Sequence, residues 1–228
     1  MSWTSERINR IFEGIGLNTY LEIGIEHGSN LREVKARRSV GVDPRPTDQA
    51  VDFAEHIEVH RATSDEYFDS LDPRTRFDCI FIDGLHEYEQ SLRDLLWSLA
   101  FSHDRTVIIL DDTRPDTYHG ALPLSRSPGE VREAMGSPSH GWMGDVYKTL
   151  AFVNDFVPQL SFASLVGKDQ TILWKESRPA RAQLFSGLEE ISRLEYSHFL
   201  LLQDTLYSTE PEDEVLDRVR AWLNSPDH

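Results

Sequence analysis

Residues 77–112 read FDCIFIDGLHEYEQSLRDLLWSLAFSHDRTVIILDD, and this stretch decides the fold. Phe77 to Ile82 is a short unbroken apolar run, the pattern of a strand covered on both faces. Asp83-Gly84 ends it. Leu92, Leu95, Leu96 and Leu99 then recur at helical spacing and predict one apolar stripe on a helix. Val107 to Leu110 is a second apolar run, closed by Asp111-Asp112. Strand, helix and strand in this order form a βαβ unit, whose parallel strands end on the same sheet edge, where open α/β folds bind their ligands. Asp83, His86, Asp111 and Asp112 are therefore expected to gather there. Three carboxylates with an imidazole suggest a metal site.

The same alternation extends upstream. Ile8, Ile11, Phe12 and Ile15 predict an amphipathic first helix, with Thr4 or Ser5 as its cap. Thr19 to Ile23 predicts a strand, followed by Gly24-Ile25-Glu26-His27-Gly28-Ser29-Asn30 and a helix through Leu31, Val34 and Lys35. Ser39 to Val42 predicts the second strand, ending at Asp43. A helical segment near Asp48 to Glu55 precedes a third strand around Ile57 to His60. Ala62-Thr63-Ser64 reads as a turn, and Tyr67, Phe68 and Leu71 lie on a short helix. Repeated strand–helix units predict an α/β fold with a doubly wound, Rossmann-like parallel sheet.

Downstream of Asp112 the alternation stops. Residues 113–143 hold Pro115, Pro123, Pro128 and Pro138 and read as an irregular lid or substrate loop. Gly144 to Phe156 returns to helix, with Val146, Leu150, Val153 and Phe156 on one face. Leu160 to Val166 and Thr171 to Trp174 predict an antiparallel hairpin, the end of a seven-stranded sheet. One helix from Leu184 towards Leu202 and another through Val215, Leu216, Val219 and Trp222 close the chain. The acidic stretch Ser208 to Glu214 reads as the linker between them. Residues 1–176 are thus expected to form one domain, and 177–228 a helical extension that packs on it or forms a homodimer.

With 23 basic against 39 acidic residues, the formal charge is −16. Nucleic acid and anionic membranes reward clustered Lys and Arg, so neither is expected as a partner. No apolar run approaches the roughly 20 residues that span a bilayer, and the first residues lack the core of a signal peptide. Cys79, the only cysteine, lies within an apolar strand and reads as a core residue of a cytoplasmic protein.

LEIGIEHGSNL carries the first ligand signal. Gly24 and Gly28 permit a tight turn and close ligand approach, and the following helix start offers free N–H groups. The spacing is not the G-x-G-x-x-G of dinucleotide folds, and there is no phosphate-loop G-K-[ST]. Glu22 before the loop would repel phosphates and suits a cationic ligand. Asp43 is placed to bond ribose hydroxyls.

ExGxxxG after the first strand, an acid ending the second and FDCIFIDG ending the fourth together resemble class I S-adenosylmethionine-dependent methyltransferases, over roughly Thr19 to Lys175. That resemblance implies that Glu22 lies near the methionine amine and Gly24, Gly28 and Ser29 frame the cofactor. It also implies that Asp43 holds the ribose, Ser64 lies near the adenine, and Asp83 borders the cofactor. D-G-x-H followed by a strand ending in D-D resembles the magnesium-dependent bacterial O-methyltransferases of macrolide deoxysugars and methylated polysaccharides. By that likeness Asp83, Asp111 and Asp112 bind Mg2+ and His86 is the general base, a role its ordinary pKa suits. Catechol O-methyltransferases share the metal idea but usually end the ligand set in Asn, where this chain has Asp112.

GWMGDVYKTL resembles a G-D-V-[WY]-K stretch in related enzymes, which makes Trp142, Asp145 and Lys148 candidate substrate contacts. His119 and His140, in the lid, are two more. The expected function is methyl transfer to a hydroxyl of a sugar, glycoside or oligosaccharide. The alternatives are a catechol- or phenol-type O-methyltransferase, or a non-catalytic cofactor-binding or partner subunit.

Overall fold

The computed structural model describes residues 2–47, 54–179 and 183–226, so the helix expected near Asp48 to Glu55 lies largely outside the described residues. Eight strands are described: β1 (Leu17–Ile23), β2 (Ala36–Val42), β3 (Ile57–His60), β4 (Phe77–Ile82), β5 (Ser102–Leu110), β6 (Ser161–Leu165), β7 (Thr171–Trp174) and β8 (Thr209–Glu210). They form one mixed sheet in the order β3-β2-β1-β4-β5-β7-β6-β8. The fold is therefore α/β and Rossmann-like, as the strand–helix alternation predicts. Contacts divide the chain into two compact units: Met1–Gly84 with Arg93–Ile109 and Glu212–His228, and Leu85–Leu92 with Leu110–Pro211.

In the first unit β1 runs parallel to β2 and to β4, with Leu21 opposite Val40 on one side and Ile80 on the other. All three are buried, as continuous apolar strands in a parallel sheet require. Helix α1 (Trp3–Ile11) starts one residue after Ser2, whose hydroxyl accepts from the Ser5 amide at 3.0 Å. Ser2, not Thr4 or Ser5, is the cap. Helix α2 (Ser29–Glu33) stops before Val34, which is already extended. Helix α3 (Ser64–Ser70) opens on a reciprocal cap between Thr63 and Glu66.

Helix α4 (Tyr88–Ala100) corrects the expected stripe. Its buried positions include Ser91, Asp94, Leu95 and Ser98, whereas Leu96 is 47% exposed. The period is helical but the buried face is displaced towards polar residues, two of which find hydrogen-bond partners inside: Ser64 donates to Asp94, and Thr149 to Ser91.

The second unit holds the antiparallel pair β6–β7, with Phe162 opposite Leu173. Val166 to Gln170 connect them. Strand β8 pairs in parallel with β6, Ser164 opposite Thr209. It comes from the stretch expected to be only a linker, so the sheet has eight strands rather than seven. Residues 113–143 are not wholly irregular. They contain helix α5 (Pro128–Ala134), which begins on Pro128, a residue suited to a first helical position. Helix α6 (Tyr147–Phe156) buries Leu150 and Val153, while Phe156 is exposed. The helix expected from Leu184 to Leu202 is two: α7 (Leu188–Ser192) and α8 (Tyr196–Leu201). Glu195 is extended and caps α8 reciprocally with His198, which breaks the run. The last helix, α9 (Glu212–Leu223), belongs to the first unit. Among the described residues no helix is long and apolar enough to cross a membrane.

Candidate active site

In the first unit the end of β1 is built around a buried carboxylate. Glu22 accepts from the Asn30 side-chain amide at 3.1 Å and from the Tyr20 hydroxyl at 3.0 Å. Burial pushes its pKa up to about 8, against the two hydrogen bonds that favour the anion. Gly24 has φ +82°, and a Cβ there would lie 1.8 Å from the Asp83 carbonyl oxygen. The loop after β1 thus lies directly on the end of β4, where the Asp83 amide donates to Ile23 O at 2.8 Å. Gly28, at φ +67°, caps α2, whose first residue is Ser29. Asp43 is heavily engaged: one oxygen accepts from the amides of Ile25 and Glu26, the other from that of Arg45 at 2.7 Å. It braces the glycine loop. Ser64 donates to Asp94 at 2.6 Å, a buried carboxylate that the leucine pattern of α4 had hidden.

In the second unit His86 is held on three sides. Its Nδ1 lies 3.0 Å from the Trp142 carbonyl oxygen, so Nδ1 carries the proton. Its Nε2 lies 2.8 Å from Asp112 Oδ2, and its ring stacks on that of Trp142 with centroids 5.0 Å apart. Gly144, at φ +61°, presses on the same residue: a Cβ there would lie 1.6 Å from the His86 carbonyl oxygen. Asp112 is in the left-handed region at φ +58°, which Asp tolerates better than most residues. Burial raises its pKa to about 6, partly offset by His86 and reinforced by Asp111 and Asp169.

Asp111, Asp112 and Asp169 each offer an oxygen within 4.8 Å of the others. Asp111 also accepts from Gln170 Nε2 at 3.0 Å, and the Asp169 carbonyl accepts from the Thr113 amide and hydroxyl. Three hard oxygen donors fit magnesium or calcium better than a soft metal. Asp169 was not among the expected residues, since G-K-D-Q reads as an ordinary hairpin turn. Asp83 lies in the first unit, just after β4.

The remaining candidates separate. His119 is buried, with Nε2 3.3 Å from the Ser139 carbonyl oxygen and, among the described residues, no hydrogen-bond partner for Nδ1. His140 is exposed and accepts from Arg132. Trp142 donates through its indole N–H to Leu122 O at 2.8 Å. Asp145 accepts from the Tyr88 amide at 2.8 Å and from the Lys148 ammonium at 2.8 Å. The Asp145–Lys148 pair is buried.

A family model described as a methyltransferase domain matches residues 21–113, less than half of the chain. No curated protein matches. Among solved structures, the O-methyltransferase TomG from Streptomyces achromogenes, in complex with S-adenosylmethionine and involved in tomaymycin synthesis, is 16% identical with a TM-score of 0.54. Cofactor-bound Rv0187 from MTB is 18% identical with a TM-score of 0.52. Each alignment covers 78% of this chain and 82% of the other. At such identity the shared property is the fold.

Proposed function

We propose that the chain is a cytoplasmic, S-adenosylmethionine- and magnesium-dependent O-methyltransferase acting on a hydroxyl of a sugar, glycoside or oligosaccharide. The observation that carries this reading is the His86 imidazole, fixed through Nδ1 and bonded through Nε2 to Asp112, beside the carboxylates of Asp111 and Asp169. The methyltransferase-domain match over residues 21–113 and the cofactor complex of TomG support the choice of cofactor.

S-Adenosylmethionine, when bound, supplies an electrophilic sulfonium methyl, and magnesium, when bound, supplies a Lewis acid that acidifies a hydroxyl. In this reading Glu22 meets the methionine ammonium, which its buried carboxylate needs as a counter-charge. Gly24, Gly28 and Ser29 let backbone approach the cofactor. Asp43 turns its remaining lone pairs to the ribose, Ser64 borders the adenine, and Asp83 borders cofactor and metal. Asp111 and Asp112 are metal ligands with Asp83. The Trp142 carbonyl keeps one proton on His86 Nδ1, and Nε2, which shares a proton with Asp112 Oδ2 at 2.8 Å, becomes the atom that accepts the acceptor's hydroxyl proton once Asp112 is engaged as a metal ligand. Trp142, Asp145, Lys148, His119 and His140 belong to the acceptor side, within a methyltransferase domain of residues 1–176. Leu188 and Leu201, exposed in the extension 177–228, are the surface of a homodimer.

The test is a methyl-transfer screen over sugars, glycosides and catechols, with magnesium and with EDTA. Transfer to a sugar hydroxyl that EDTA abolishes and magnesium restores is the expected result. Transfer to catechols alone replaces the acceptor class. Full activity in chelator eliminates the metal role. Replacing His86 by Ala is expected to lower turnover roughly 100-fold or more with cofactor affinity intact.

A further inference from the structure

The second unit contains a cavity of about 420 Å³ whose lining includes Tyr118, Arg126, Asp145, Lys148, Arg193 and Tyr196. Its size is that of a small-ligand site. Two rings form part of the wall: Tyr118 and Tyr196 meet edge-on with centroids 6.5 Å apart. The Tyr196 ring is fixed by its hydroxyl, which donates to Asp116 O at 3.1 Å. The cavity is also joined to His86. The Lys148 partner Asp145 accepts from the Tyr88 amide, two residues beyond His86, and Leu122 of the lining accepts from the indole of Trp142, which stacks on the imidazole.

Cations are concentrated here: in a protein of net charge −16, Arg126, Lys148 and Arg193 line this cavity against the carboxylates of Asp145 and Glu195, with Arg193 paired to Glu189 at 2.5 Å. Lys148 is 7% exposed, and its ammonium donates to Asp145 Oδ2 and to the Ser192 carbonyl oxygen, each at 2.8 Å. An ammonium has three donors, so these two bonds leave one. Arg126 ends a short turn, Leu124–Arg126, with its guanidinium unpaired among the described residues.

We propose that this cavity is the acceptor subsite and that the acceptor carries an anionic group, a carboxylate or a phosphate, held by Lys148 and Arg126, with its ring against Tyr118 and Tyr196. This rests on the methyltransferase reading and narrows the acceptor from a neutral to an acidic hydroxylated ring. The segment Ser192 to Tyr196, beyond the sheet, forms one wall, which gives the C-terminal extension a part in specificity.

The experiment is calorimetry on the full chain saturated with S-adenosylhomocysteine and magnesium. The probes are glucuronic acid, glucose 6-phosphate and glucose. The wild type should bind at least one anionic probe roughly tenfold or more tighter than glucose, the acid and the phosphate arms separating the two anions. Arg126→Ala should remove most of that preference while the affinity for S-adenosylhomocysteine is unchanged. Arg126 is exposed, so this variant folds even if Lys148→Met does not. Equal binding of the three probes, no binding of any, or an unchanged preference in Arg126→Ala overturns the proposal. Loss of S-adenosylhomocysteine binding by the wild type would instead overturn the methyltransferase reading itself.

Discussion

Glu22 is the residue whose protonation should report cofactor binding. Its pKa is raised from 4.5 to about 8, so its contribution to folding is fully present below pH 4.5 and declines as pH rises through about 8. A bound ammonium reverses the preference and drives the proton off. At pH 7, binding of S-adenosylmethionine should therefore release about one proton, measured by calorimetry in buffers of different ionisation enthalpy. Glu22→Gln should abolish the release. Cofactor binding by the wild type without proton release would sever Glu22 from the ligand. Gly144 makes a second test at this scale. Gly144→Ala adds a Cβ at φ +61° and 1.6 Å from the His86 carbonyl, displacing the residue proposed as base. Turnover should fall roughly 100-fold, as misplacement by about 1 Å can cost, while S-adenosylhomocysteine affinity persists. Undiminished turnover would show that the His86 loop tolerates displacement. Among the residues, Glu22, Gly24, His86 and Asp112 were legible because strand ends and glycines mark themselves in the sequence. Asp94 and Asp169 were not, since a buried helical acid and a turn acid look like solvated ones until their neighbours are known.

At the scale of elements, the helix ends show where pattern reading succeeds and where it stops. Helix α9 was expected from Val215, Leu216, Val219 and Trp222, all of which are buried. Its partner was not legible. Arg7 of α1, 1% exposed, donates through Nε to Glu212 at 2.9 Å, and Arg10 bonds Asp213 at 2.5 Å. The two bridges should differ sharply in worth. Glu212→Ala removes the acceptor of a buried guanidinium and should cost roughly 2 kcal/mol in urea denaturation. Asp213 is mostly exposed, and Asp213→Ala should cost under about 1 kcal/mol. Equal losses would mean that helix packing alone, not the buried charge, holds α9. The displaced face of α4 and the break at Arg193 to Glu195 have one cause: hydrogen bonds available only in the folded chain outweighed the apolar period.

Over the whole molecule, periodicity chose the class. Continuous apolar strands alternating with helices can be covered only as a parallel sheet, so the α/β architecture and its acidic strand ends follow from the sequence itself. What the sequence could not decide were pairings between distant segments, which add no periodic signal. Thr209–Glu210 joins β6 as an eighth strand through backbone hydrogen bonds, to which side-chain patterns are nearly blind. Asp169 comes beside Asp111 and Asp112 through the β6–β7 hairpin, and Ser192 to Tyr196 join Lys148 and Arg126 around one cavity. The sequence by itself determined the class of fold, the glycine loop and the acids at the strand ends. Only the tertiary structure decided which carboxylates cluster, how His86 is oriented and what surrounds the cavity, because those follow from packing between segments far apart in the chain.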